Sequence, residues 1–164
     1  MVPSIDLIAH VKVRRLMSQK QTTFRILGQP VPCPRPRVTR NGVFYPPKYR
    51  KAKKEYADFI RLHFAIKQIP PFIGPVCLRC EFIHQRPKAM KGTEREWKTT
   101  RPDLDNLIKS VKDAISAAGG WGDDSQVVVL FSHDLYAAKG EAPHTNVYIE
   151  EISGPPQEGQ YTDN

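Results

Sequence analysis

Apolar positions first recur in the run TFRILG (Thr23–Gly28), whose β-branched and aromatic residues predict a strand. From Lys48 to Gln68 the period changes. Tyr56, Phe59, Ile60, His63 and Phe64 return at three- and four-residue steps, the stripe of an amphipathic helix. Alternation resumes in PVCLRCEFIH (Pro75–His84), which puts Val76, Leu78, Cys80 and Phe82 on one face of a strand. A second helical stripe follows in Leu104, Leu107, Ile108, Val111, Ala114, Ile115 and Ala118. Asp103 stands where an N-cap belongs and Gly119 where a helix stops. The runs SQVVVLFSHDLYA and HTNVYIEEI then read as two strands joined by the turn KGEAP. The order β-α-β-α-β-β predicts a single α+β domain with a mixed sheet and two main helices.

The stretches between these elements divide the chain. Residues 1–21 read as an N-terminal extension, 22–152 as the folded domain and 153–164, rich in Pro, Gly and polar residues, as a flexible tail. The segment QPVPCPRPRVTRNGVFYPP holds six prolines, which exclude regular helix, and the turn signal Asn41-Gly42. Residues 85–100 are polar and basic and read as a mobile loop.

Charge adds a partner. Lys plus Arg number 25 against 17 Asp plus Glu, a net +8, which favours a polyanion, nucleic acid before an anionic membrane. Lys48, Arg50, Lys51, Lys53 and Lys54 crowd the start of the first helix, where the dipole is already positive, so an external anion would relieve them; a solvated helix face is the competing reading. Three cysteines argue against a secreted disulfide framework, and Cys77 and Cys80 lack the second pair that a zinc site needs, so they read as free strand thiols. No apolar run reaches the roughly 20 residues of a membrane span, and no signal peptide is legible, so a cytoplasmic protein is expected.

Carboxylates gather in one segment, RPDLDNLIKSVKDAISAAGGWGDDSQ, from Arg101 to Gln126. On a helix Asp105 and Lys109 lie one turn apart, away from the apolar stripe, and Asp113 lies one turn beyond. Each feature alone has an ordinary explanation. Acidic residues in a first helical turn stabilise it by about 0.3–1 kcal/mol each, and Asp123-Asp124 can be a polar turn entering a strand. Together, Asp-x-Asp-Asn, a lysine four residues on and Asp-Asp after Gly-Gly-Trp-Gly form a constrained constellation.

This constellation resembles the RusA family of Holliday-junction resolvases, small crossover-junction endodeoxyribonucleases of phages and prophages. The resemblance rests on RPDLDNLIKSVKDAISAAGGWGDDSQVV and reaches more weakly back to GQPVPCPRPRVTRNG and the basic helix. It implies that Asp103, Asp105 and Asp124 are metal-binding catalytic carboxylates and that Lys109 supports catalysis. Asp123 has a weaker claim. Such carboxylates suit Mg²⁺, with Mn²⁺ as a substitute. Arg35, Arg37, Arg40, Lys48, Lys51 and Lys54 are expected to grip phosphates, and Tyr45, Trp97 and Trp121 to stack on exposed bases, with a plug against the sheet edge as the other reading of Trp121.

The expected activity is paired nicking of branched DNA, the four-way junction of recombination and repair, by a homodimer without an organic cofactor and away from membranes. The alternatives are a flap or fork nuclease of the same chemistry and a non-catalytic DNA-binding module. A helix over Asp103–Ala118 is about 23 Å long, whereas Gly119 to Asp124 spans at most about 17 Å. Asp124 therefore joins Asp103 within one chain only if the glycine loop runs back along the helix or the helix is shorter than this; otherwise it serves the other subunit's site.

Overall fold

The computed structural model describes residues 17–154. Strand β1 (Met17–Leu27) is followed by a short hairpin, β2 (Arg37–Thr39) and β3 (Gly42–Phe44), and by helix α1 (Pro47–Ile66). Then come β4 (Val76–His84), the two-residue β5 (Glu96–Trp97), helix α2 (Leu104–Ala118), a 3₁₀ turn (Asp124–Gln126), β6 (Val127–Tyr136) and β7 (His144–Ile152). The main sheet runs β1-β7-β4-β6-β5. Only β4 and β6 are parallel, joined through α2, so the sheet is mixed and the α+β expectation holds.

Both helices cover one face. Tyr56, Ile60 and Phe64 of α1 and Leu107, Val111, Ala114 and Ile115 of α2 share one core with Phe24, Ile26, Val76, Leu78, Cys80, Phe82, Val147 and Ile149 of the sheet. The stripe expected on α2 is the buried one. On α1, Phe59 departs from the expectation: it lies at the margin, 40% exposed, edge-on to Phe24 at 6.2 Å. Pro47 opens α1, where its missing N–H is no loss, and Gly119 closes α2 at φ 77° with its N–H on Ser116 O. Cys33, Cys77 and Cys80 are free and buried, and burial pushes the Cys80 thiol up to about 12.

Two segments differ from the sequence reading. Residues 17–21, read as extension, begin β1, where Gln21 faces Glu150; the polar run SQKQ hides this strand from a hydrophobic pattern. Residues 1–16 and the tail from 155 on lie outside the described residues. Residues 85–100, read as a mobile loop, are anchored. The guanidinium of Arg86 donates to the carbonyls of Glu94 and Ala137 and pairs with Glu96, Arg95 pairs with Glu81 and Glu141, and β5 adds to the end of β6. Those bonds come from partners far apart in sequence, which local periodicity cannot report.

Candidate active site

Asp103 is the N-cap residue of α2, with extended backbone (φ −73°, ψ 144°), yet its side chain makes no capping hydrogen bond. The carboxylate is exposed and has no ion partner among the described residues. Asp105, in the first turn, is equally exposed and unpaired there. Asp103 and Arg101 sit where two clefts meet. One is lined by Pro32, Cys33, Pro34, Arg35 and Asn106, the other by Trp97, Thr99, Thr100, Ser132 and His133. The backbone N–H of Cys33 donates to Asn106 O at 2.8 Å and so holds the proline-rich segment, with Arg35, against the first turn of α2.

Lys109 lies further along α2. Its Nζ is 3.3 Å from Asp113 Oδ1, and Asp113 Oδ2 accepts from Tyr49 O–H at 3.0 Å. Partial burial works against the Lys109 charge, but Asp113 more than offsets it, and the ammonium's pKa is raised above its ordinary value. Burial, together with Cys33 and Asp113, pushes the Tyr49 phenol up as well, so it remains a donor. Through Tyr49, the basic start of α1 is pinned beside Lys109.

The two adjacent aspartates divide their work. Asp123 caps the 3₁₀ turn: its carboxylate accepts from Ser125 N at 2.7 Å, which holds its pKa below the usual value, and Gln126 closes the box from the other side. Asp124 is left outside that box, 3.4 Å from Lys112 Nζ. Lys112 is seven positions beyond Asp105, a rise of about 10 Å along the helix. The glycine loop does not carry Asp124 further back, because Trp121 anchors it. The indole is buried and donates to Ser116 Oγ at 2.7 Å, and the backbone at Trp121 forms a parallel β-bridge with Phe72, so Trp121 is the plug and not a stacking platform. Among the described residues, no three His, Cys, Asp or Glu side chains come together as a metal site. Asp103 and Asp105 share the N-terminal end of α2, and Asp124 stands beside its middle, at Lys112.

The residues expected to bind DNA fall into three places. Arg35 lines a cleft with Asp103. Arg37 and Arg40 lie on the β2–β3 hairpin, which pairs with no other strand among the described residues and leaves Val38 and Phe44 77% and 50% exposed. Lys48, Lys51 and Lys54 are exposed on α1. Lys51 and Lys54 pair with Glu55 (3.8 Å) and Asp58 (2.7 Å) one turn on, so part of the charge crowding is relieved within the helix without an external anion. Tyr45 is half-buried and stacks at a tilt on Tyr49, and Trp97 is 61% exposed. Sequence reasoning missed Arg101 and Lys112. Arg101 directly precedes the acidic motif, which was signal enough; the Lys112–Asp124 pair depends on how the loop folds.

A family profile described as Endodeoxyribonuclease RusA matches residues 28–150, most of the chain. The uncharacterized protein YqaN of Bacillus subtilis (strain 168) is 32% identical over 142 residues, covering 79% of this chain and 96% of that protein. A crossover junction endodeoxyribonuclease rusA of Lactococcus phage r1t is 51% identical over 44 residues, 26% of this chain and 34% of its own length.

Proposed function

The chain belongs to the RusA endodeoxyribonuclease family, and from that premise we propose that it resolves four-way DNA junctions by metal-dependent hydrolysis as a homodimer. The observation that carries this reading is the pair of unengaged carboxylates at the start of α2, Asp105 in its first turn and Asp103 lining the cleft that Arg35 and Arg101 share. An N-cap aspartate that does not cap its helix is free for another ligand. All the donors involved are carboxylate oxygens, which suit Mg²⁺, or Mn²⁺ in its place. When bound, such an ion lowers the pKa of a coordinated water and neutralises charge on the phosphate.

The protein's own groups do the rest. Lys109, kept cationic by Asp113, supplies a point charge to the scissile phosphate. Arg35, Arg37, Arg40, Arg101 and the lysines of α1 hold the flanking phosphates and orient the strand. Asp103 and Asp105 are two of the ligands. Asp124 is the third, and it comes from the second subunit.

Two observations support this sharing. Asp124 is held beside the middle of α2, paired with Lys112, about two turns from Asp105. Along β6, residues 127–134 have no strand partner on the outer edge among the described residues. Antiparallel pairing of two copies along that edge would set the start of one β6, next to Asp124, against the end of the other. That end is joined to the strap before Asp103 by Lys98. A twofold axis would then make two centres, as paired nicks require. The phage relative suggests recombination or repair of phage or prophage DNA, in the cytoplasm.

The test is incubation of the purified protein with labelled four-way junction, flap and linear duplex, with Mg²⁺ and with EDTA. Paired nicks in the junction that need Mg²⁺ are expected. Preferential cutting of flaps would move the substrate, and binding without cutting under every ion would leave a non-catalytic module.

A further inference from the structure

A buried charge network lies under the strap that leads into Asp103. Lys98, just after β5, has a side chain only 4% exposed, and that of Asp134 on β6 is 9% exposed. The three N–H donors of the ammonium meet three acceptors: Asp134 Oδ2 at 3.2 Å, Pro102 O at 3.3 Å and Thr100 O at 2.5 Å. The Lys98 backbone N–H donates to Asp134 O at 3.0 Å. Asp134 Oδ1 in turn lies 2.7 Å from His84 Nε2, a close contact that forms no hydrogen bond. The tautomer of His84 follows from its other side. Gln29 Oε1 accepts from Gln85 N, so Gln29 Nε2 is the donor to His84 Nδ1 at 2.9 Å, and the ring proton is left on Nε2, facing Asp134.

Burying a charge pair is a poor way to gain stability, since apolar residues of similar volume do as well. This pair holds backbone instead. Pro102 O belongs to the peptide that enters Asp103, and Pro102 has no N–H of its own with which to anchor the strap. Asp103 is not held by its own side chain either. We propose that Lys98, itself fixed by Asp134, is a positioning residue that sets the Asp103 carboxylate for reaction. The inference rests on the nuclease reading for its consequence but not for its geometry.

The test uses the double variant Lys98→Met/Asp134→Asn, which removes both charges together and leaves no lone charge buried. Single-turnover cleavage of a four-way junction, junction Kd in EDTA, and hydrogen exchange across residues 99–104 are compared with wild type. Expected are a rate about 100-fold lower at saturating Mg²⁺, a metal-free Kd within about twofold of wild type, and faster exchange in the strap with the core of α2 still protected. An unchanged rate in the folded variant overturns the proposal. So does a parallel loss of rate and metal-free binding, which would make the network part of the DNA surface.

Should the double variant fail to fold, the milder pair Lys98→Gln/Asp134→Asn decides, because it removes the same two charges and keeps polar side chains in the buried site. A rate loss of about 10-fold at constant Kd supports positioning, and no change in rate or exchange overturns it. Faster strap exchange in a protein whose wild type cuts no branched DNA would count against the nuclease reading alone.

Discussion

At the scale of single residues, Asp103 separates a ligand from a helix cap. A capping aspartate lost to substitution typically costs about 1 kcal/mol, but Asp103 makes no capping bond. Asp103→Asn and Asp105→Asn are therefore expected to abolish cleavage, to leave junction binding intact or tighter, and to stay within about 0.5 kcal/mol of wild type in denaturant melts. Asp123→Ala is expected to do the reverse, lowering Tm while cleavage persists, because its carboxylate holds the 3₁₀ turn. A dead, folded Asp123→Ala protein would exchange the roles of the two neighbours. Spacing made the aspartates legible as a set. It could not show that Asp103 leaves its cap empty or that Asp123 fills one, since both depend on side-chain rotamers.

At the scale of elements, the strap and the proline-rich segment converge on one cleft from positions about 70 residues apart in sequence. Arg35→Ala and Arg101→Ala are each expected to weaken junction binding and to flatten the dependence of log Kd on log salt by about one unit. An unchanged slope in titrations across salt would move the phosphate track to the hairpin and α1. The 85–100 segment has an acid-sensitive clasp. Arg95 holds the Glu141 carboxyl at about 2, against an ordinary 4.5. A depressed carboxylate stabilises the fold above its unfolded pKa, and that stability is lost as pH falls through the folded value. The Tm difference between wild type and Glu141→Gln should hold constant from neutral pH to about 5, then shrink between about 4.5 and 2. A difference that persists to pH 2 would rule the clasp out. None of this was readable in residues 85–100, whose polar composition looks the same whether its arginines face solvent or carboxylates.

At the scale of the whole molecule, local periodicity predicted the main strands and helices in their order, because each buries one face. The sheet order was not legible. That β1 pairs with β7 and that β6 runs along an open edge are contacts between distant parts of the chain. This edge and the separation of Asp124 from Asp103 together make the shared centre the central claim. The most direct measurement mixes Asp103→Asn and Asp124→Asn proteins, refolds them together and assays nicking of a four-way junction. In a heterodimer with shared centres, both lesions fall in one site and the other is wild type. Nicking should then return at roughly a quarter of the wild-type density of centres after random pairing. With centres confined to single chains, every site carries one lesion; a mixture as inactive as either parent would contradict the shared site.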